Sequence, residues 1–324
     1  MMNNSTNRKP LTVVIPTKNS GKSLEDCLKS LQQQTYKNFD ILIVDGYSTD
    51  NTVDIAKKFK AKVVYDDGKT RASACNKALE IVGTPYIAFT DDDAIPFKDW
   101  VEKIVKFFES HNCVSVGGIN FSPPDDSIFA KSVDVLFSSK LVAGKSRYGK
   151  VWDKVREINH NPGCNVAYKT SIIRKIGFDE DLPTAEDVVL DYKIKKSGGK
   201  IYFSPDIKVY HRRRNNLKSL FKQIYKYGLG RAIANKRYKE LKSLLHILPT
   251  ITLLATPLVL CLLLVAQKVF MLLISIYILI ILLGNSLSQS PYKNIKTILI
   301  ATFLANISYL AWAIGYLKGV IKND

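Results

Sequence analysis

Acidic residues are scarce in one stretch of this 324-residue chain. Between residues 193 and 242 sixteen Lys and Arg face only Asp206 and Glu240, so the stretch carries +14 of the formal charge of +18. Cysteine is sparse too. Cys27, Cys75, Cys113, Cys164 and Cys261 are odd in number, scattered and without a CxxC pair. That usage suits reduced cytosolic thiols and argues against a zinc site or a disulfide framework. Neither GxGxxG nor GxxxxGK[ST] occurs, which argues against a dinucleotide Rossmann site and a P-loop. The opening MMNNSTNRKP has no apolar core of a secretory signal. No internal repeat or low-complexity linker is present, and aromatic residues do not interleave with the basic ones as in RNA-binding modules. A nucleic-acid partner is therefore not expected.

Beyond the basic stretch the chain turns apolar. Residues 244–266, 269–289 and 297–317 form uncharged runs of 23, 21 and 21 residues, and about 20 apolar residues cross a bilayer as a helix. Two or three spans are expected. Pro249, Pro257 and Asn306 weaken the pattern slightly, and Gln267-Lys268 leaves room only for a tight hairpin. Positive charge collects in cytoplasmic flanks, so an integral, multi-pass protein with its N-terminal part on the cytoplasmic face is expected. Gly315-x-x-x-Gly319 fits a helix-packing motif.

The first hundred residues alternate two periodicities. Apolar strands at 11–15, 41–44, 62–65 and 86–90 are separated by helical spacing at 23–32, 53–59 and 70–82, and a further helix covers 100–108. Ser48-Thr49-Asp50 supplies N-cap chemistry for the second helix. The alternation predicts βαβ units and a mostly parallel sheet with both faces covered, and ligands bind such sheets beyond the carboxyl ends of the strands. Pro16-Thr17-Lys18-Asn19, Asp45, Asp66-Asp67 and Asp91–Asp93 all lie at those ends. Farther on, strands are expected at 113–116, 165–168, 200–203 and 207–210, and helices at 127–143, 186–196 and 217–241. A mobile basic loop, GKSRYGK, is expected at 144–150.

Three clusters stand out chemically. In FTDDDAIP, Asp91 and Asp93 can hold a hard divalent cation that bridges a diphosphate, or the run is a solvated acidic loop. In TAEDVVL, Thr184 is a plausible N-cap. Glu186 and Asp187 either favour the helix dipole or include a general base. In His211-Arg212-Arg213-Arg214, a histidine closing an apolar strand before three arginines suits a diphosphate, a metal or anionic lipid.

VVIPTKNS, IVDGYSTDNT, FTDDDAIP and TAEDVVL, in that order, resemble the family 2 glycosyltransferases with a GT-A fold over residues 10–235. The nearest flavour is that of membrane-bound, non-processive enzymes of exopolysaccharide and archaeal lipid-linked glycan assembly. The resemblance implies a Rossmann-like α/β catalytic domain at 11–215 after a disordered 1–10. A basic amphipathic helix at 216–243 and a transmembrane region at 244–324 would come after it. It implies that Pro16, Thr17, Asn19, Asp45, Arg71, Asp91 and Asn165 bind the nucleotide sugar, and that Asp91, Asp93 and His211 hold Mg²⁺ or Mn²⁺. Asp187, with Glu186 beside it, would serve as catalytic base. Arg212, and Gln223 with Lys226 in a Q-x-x-R-W-like stretch, would meet the acceptor or the diphosphate. Asp92 points elsewhere in an extended chain and is expected to be a solvated or structural acid.

Three departures matter: Asp45-Gly46 has one carboxylate where two are usual, Ser20 replaces Glu, and Lys226-Tyr227 replaces Arg-Trp. The implied reaction is metal-dependent transfer with inversion from a nucleotide sugar to a lipid-linked or membrane-proximal acceptor, with membrane lipids as surroundings. A dolichyl- or polyprenyl-phosphate sugar synthase is the rival within the enzyme class. A catalytically inactive membrane scaffold is the rival outside it.

Overall fold

The computed structural model describes residues 9–139, 152–265 and 267–322. The chain divides into two compact units. One comprises Met1–Phe121, Trp152–Asp181 and Glu186–Arg212, and the other Ser122–Val151, Leu182–Ala185 and Arg213–Asp324. The division is therefore interleaved rather than a single break near residue 215.

Among the described residues, the first unit holds every strand. β1 (Leu11–Thr17), α1 (Gly21–Gln32), β2 (Phe39–Asp45), α2 (Thr52–Lys58), β3 (Lys62–Tyr65), α3 (Arg71–Ile81) and β4 (Tyr86–Thr90) alternate as the periodicity predicts. β5 (Ala94–Pro96), α4 (Trp100–Ser110) and β6 (Ser115–Phe121) come next. After α5 (Ile128–Ser138) the chain returns with β7 (Arg156–Glu157), β8 (Asn165–Lys169), α6 (Thr170–Ile176), α7 (Glu186–Lys196) and β9 (Ile201–His211). The sheet order is β3-β2-β1-β4-β8-β6-β9-β5, with β7 on β9. β3, β2, β1 and β4 are parallel, β8 inserts antiparallel to β4 and β6, and β5 is antiparallel to β9.

Apolar clusters cover both faces of the sheet. Leu11, Val13 and Ile15 join Leu24, Leu28 and Trp100 in one apolar cluster, while Val14 joins Leu79, Tyr168 and Leu190 in another. This is the period-2 alternation of a strand. In α1, Leu24, Cys27, Leu28 and Leu31 are buried at helical spacing.

Several expectations are corrected. The two strands at 200–203 and 207–210 are one, β9. Pro205 sits where the β6–β9 register shifts, so its missing N–H interrupts no ladder bond. Lys9 and Pro10 are not disordered: Lys9 Nζ lies 2.6 Å from Asp40, and the Pro10 carbonyl accepts from Tyr86 N at 2.9 Å. Residue 51, not 48–50, is the cap position of α2, although Asp50 accepts from Thr52 N at 3.0 Å. The helix expected at 127–143 is described as Ile128–Ser138, capped by Ser127. Its last residues, the basic loop at 144–150 and residues 1–8 lie outside the described residues.

The second unit is helical: α5, α8 (Leu217–Arg237), α9 (Leu244–Val265), α10 (Gln267–Ser286) and α11 (Ile295–Ile321). The basic helix ends at Arg237, before a 3-10 turn at Lys239–Leu241. It is not only a surface helix, because α11 packs along it. A Cβ on Gly315 would stand 2.1 Å from the Tyr225 carbonyl oxygen, and one on Gly228 2.4 Å from that of Trp312. Only glycine permits so close a crossing, so the partner of the small-residue motif is α8. Among the described residues, α10 and α11 are long and apolar enough to cross a membrane, while α9 carries a shorter apolar stretch, Leu244–Pro257. Leu272, Leu273 and Leu279 of α10 are more than half exposed.

Candidate active site

The carboxyl ends of β1, β2 and β3 build one side of the site. Asn19 adopts a left-handed φ of 54°. From there its backbone N donates to Ser48 Oγ at 2.8 Å, and its Oδ1 accepts from Thr49 N at 2.8 Å. Asp45, fully buried, accepts from Ser48 N at 2.9 Å and from Ser48 Oγ at 2.5 Å. These bonds fix the loop after β2. They present Tyr47, itself at φ 57°, to solvent. Its ring stacks on exposed Tyr65 at the end of β3, centroids 5.3 Å apart. This pair of aromatic faces is absent from the sequence-based set of site residues, though both tyrosines stand at strand ends beside an acid. Pro16, the penultimate residue of β1, is partly buried.

The three aspartates part company. Asp91 accepts from Arg71 Nε and Nη2 at 3.2 and 3.1 Å. Asp92 turns inward to accept from Thr17 Oγ1 at 2.8 Å. Burial, with Asp93 beside it, lifts its carboxyl to about 6. Asp92 is thus a structural acid and not a solvated one. Asp93 lies 3.0 Å from His211 Nε2, which is 3.7 Å from Asp91. The antiparallel β5–β9 pair brings them together: Ala94 is in register with His211, and Arg212 N donates to the Asp93 carbonyl at 3.1 Å. Burial opposes charge on the imidazole, but Cys164 and Asp93 outweigh it, so the His211 pKa lies well above the usual value.

β8 delivers a thiol that no sequence motif connects with this site. Asn165 pairs with Thr90, and Thr90 Oγ1 donates to the Cys164 carbonyl at 3.0 Å. Among the described residues, a ligand atom each of Asp91, Cys164 and His211 lie within 4.8 Å of one another. Carboxylates, imidazole and thiol form a donor set that fits a divalent cation. Cysteine usage argues against a zinc site, yet the Cys164 sulfur lies within this cluster. Asn165, expected to meet the nucleotide sugar, has its side-chain amide committed to the protein. It is fully buried, accepting from Trp100 Nε1 at 2.8 Å and donating to the Ile119 carbonyl at 3.1 Å.

Arg71 joins this group to the acid pair of α7. Its Nη1 donates to Glu186 at 3.3 Å and its Nη2 to the Gly163 carbonyl at 3.0 Å. A Cβ on Gly163 would stand 2.8 Å from the guanidinium. Burial works against the charge on Arg71, and Asp91 foremost restores it, leaving the group firmly cationic. Burial, then Asp187, raises the Glu186 carboxyl against the pull of Arg71. Glu186 thus meets Arg71 as a buried partner.

Asp187 accepts from Gly163 N at 3.0 Å and from Val188 N at 2.8 Å, and His160 Nε2 lies 3.8 Å away. His160 Nδ1 in turn lies 2.9 Å from buried Asp191, which also accepts from Tyr168 OH at 3.2 Å. Burial raises the Asp191 carboxyl, opposed by His160. Neither His160 nor Asp191 stands out in the sequence, although Asp191 comes one helical turn after Asp187. Thr184 does not cap α7. Ala185 takes a left-handed φ of 70°, and Thr184 Oγ1 donates to the Lys226 carbonyl at 2.8 Å.

Arg212 Nη2 donates to Asp26 at 3.2 Å. Gln223 and Lys226 belong to α8 of the helical unit, where Gln223 donates to Tyr227 OH at 3.0 Å.

Known proteins resemble this architecture. The sequence profile described as Glycosyl transferase family 2 matches residues 12–177. A dolichyl N-acetyl-alpha-D-glucosaminyl phosphate 3-beta-D-2,3-diacetamido-2,3-dideoxy-beta-D-glucuronosyltransferase of Methanococcus voltae is 26% identical, over 97% of this chain and 98% of that protein. The succinoglycan biosynthesis protein ExoA of Rhizobium meliloti is 26% identical over 73% of each. In fold, the chain is similar to the mannosyltransferase PcManGT of Pyrobaculum calidifontis, solved in complex with GDP-Man and Mn²⁺. That likeness has a TM-score of 0.66 at 19% identity, over 98% of this chain and 88% of that one. The chain belongs to the family 2 glycosyltransferases and is a transferase enzyme built on the GT-A fold.

Proposed function

We propose that the chain transfers a sugar, with inversion, from a nucleotide-sugar donor to a lipid-linked or membrane-proximal glycan acceptor. The observation that carries this reading is the gathering of Asp91, Asp93 and His211 at the carboxyl ends of the strands, tied through Arg71 and Gly163 to Asp187. The similarity to a dolichyl-linked sugar transferase over nearly the whole chain supports the acceptor class.

Each residue then has a task. Asp45 and Asn19 order the loop that offers Tyr47, and the Tyr47–Tyr65 faces take the nucleotide base by stacking. Thr17 and Pro16 at the end of β1 complete this side of the donor site. Asp91, Asp93 and His211 would hold Mg²⁺ or Mn²⁺, which supplies Lewis-acid neutralisation of the leaving nucleoside diphosphate. Arg71 keeps Asp91 and Glu186 in place. Two backbone N–H donors hold the Asp187 carboxylate, and it receives the proton of the acceptor hydroxyl as that oxygen attacks the anomeric carbon. Attack from the side opposite the leaving phosphate gives inversion, and its rate depends on alignment more than on acid strength.

The apolar helices α10 and α11 support a multi-pass membrane protein, and the basic stretch before α9 favours a cytoplasmic catalytic unit. The cationic residues of α8, Lys226 among them, suit an acceptor with an anionic lipid phosphate.

The test is a thermal-shift screen of nucleoside diphosphates and their sugars with Mn²⁺ or Mg²⁺. At a ligand concentration of 100 times Kd the native state gains about 2.7 kcal/mol, so the donor stands out. Asp93→Ala removes the metal-dependent part of that gain. Calorimetric affinity with Mn²⁺ unchanged in Asp93→Ala would sink the metal assignment. Product analysis separates acceptors, since a sugar monophospholipid marks a lipid-phosphate acceptor and a lengthened glycan a glycan one.

A further inference from the structure

The cysteines of the sheet unit fall into two kinds. Cys27, Cys75 and Cys113 are buried in apolar clusters, where burial pushes their thiols up, to about 12 for Cys75 and about 11 for Cys113. They are core residues, Cys75 also accepting from Arg71 Nη1 at 3.8 Å. Cys164 is as buried, 1% exposed, yet its sulfur faces Asp91 and His211. Its placement is built in by the fold. The β4–β8 ladder and the Thr90 hydroxyl hold its backbone, while β5–β9 holds His211.

We propose that Cys164 is a thiolate ligand beside Asp91 and His211, so that this chain's cation site takes soft divalent ions of the zinc and cobalt class as well as hard ones. The inference rests on the reading that a divalent cation sits at Asp91, Asp93 and His211. Donor atoms sharing one such ion lie roughly 3–4 Å apart, given metal–ligand bonds of about 2.0–2.3 Å. The three ligand atoms, already within 4.8 Å of one another, close that gap by moving about an ångström. A site of carboxylates alone suits Mg²⁺ and Mn²⁺; a thiolate shifts preference toward Zn²⁺, Co²⁺ and Fe²⁺. On ligation the S–H bond breaks, the sulfur pair forms the metal–sulfur bond, and the proton passes to solvent. No oxidant or reductant takes part.

Co²⁺ is the probe, because a cobalt–thiolate bond gives a sulfur-to-metal charge-transfer band in the near ultraviolet that oxygen and nitrogen ligands do not give. The full chain, reduced, in detergent and without an oligohistidine tag, is titrated with CoCl₂ while calorimetry tracks binding. The expected result is a saturating charge-transfer band that Zn²⁺ bleaches. The band is lost in Cys164→Ser and kept in Cys113→Ser. Cys164→Ser should also weaken Zn²⁺ and Co²⁺ by roughly tenfold or more while Mn²⁺ stays within roughly threefold. Saturable Co²⁺ heat in the wild-type chain without the band overturns the thiolate and leaves the cation reading standing. A band that survives in Cys164→Ser overturns it too. Absence of saturable binding for Co²⁺, Mn²⁺ and Mg²⁺ alike overturns both. The wild-type arm decides even where the variant does not fold.

Discussion

Each unit sets a guanidinium against an aspartate, and the two pairs differ in what surrounds them. In the helical unit, Arg213 donates to Asp134 Oδ1 through Nε and Nη2 at 3.0 and 2.8 Å, with side chains 2% and 0% exposed. The same carboxylate accepts from Ser122 N and Ser290 Oγ, and Arg213 lies over the Phe137 ring. In the sheet unit, Arg71 and Asp91 are 26% and 28% exposed, and the second oxygen of Asp91 faces His211. A buried ion pair that answers its lone pairs from several elements pins a structure. One that keeps an oxygen turned toward an imidazole and a thiol is arranged for a ligand.

The largest expected effect tests the saturated pair. Asp134→Ala strands a buried guanidinium and should cost about 3–5 kcal/mol of stability, read as a lowered melting temperature. The double change Asp134→Leu with Arg213→Met should recover most of it. A loss below about 1 kcal/mol in the single variant would mean the pair is not the pin described. Next comes the open side. Asp187→Asn should cut turnover roughly 10²-fold or more while the donor-induced thermal shift persists; near-normal turnover would remove Asp187 as base.

A smaller effect sharpens the division among the three aspartates. The Asp92 carboxyl is raised to about 6, so the folded protein keeps a proton that the unfolded chain sheds. Stability from this group is therefore full at low pH, falls as pH rises from the ordinary carboxylate value to about 6, and stays lowered above it. Asp92→Asn, measured in chelator, should raise stability at neutral pH by about 1–3 kcal/mol and flatten that window. An unchanged pH profile would return Asp92 to the class of solvated acids. The smallest effect belongs to the exposed Lys9–Asp40 pair, 44% and 51% exposed. Asp40→Asn should leave the melting temperature within experimental scatter.

Much of the sheet unit was legible because its punctuation is local. Apolar runs ending in Pro16, Asp45 or Asp91 declare strand ends, and alternation with helical spacing declares a parallel sheet. What was hidden depends on partners distant in sequence. Asn165 reads as a polar residue opening a strand, but its amide is claimed by Trp100, 65 positions away. Cys164 carries no spacing signature, and only the antiparallel insertion of β8 beside β4 brings it to Asp91. Thr184 has the right chemistry for a cap, but left-handed Ala185 turns the chain and α8 claims its hydroxyl. His160 became visible only through Asp191, its partner one helical turn beyond Asp187.

The interleaving of the two units bears on how the protein can be cut. The chain enters the helical unit three times, and α5 buries Val133, Val135 and Leu136 there together with Leu304 and Ala305 of α11. A stop codon after Arg212 would remove α8 and α11 but leave α5 and Thr184 attached to the sheet. The product would carry an uncovered apolar helix and would aggregate rather than dissolve. A soluble catalytic piece requires that α5 be redesigned along with the deletion.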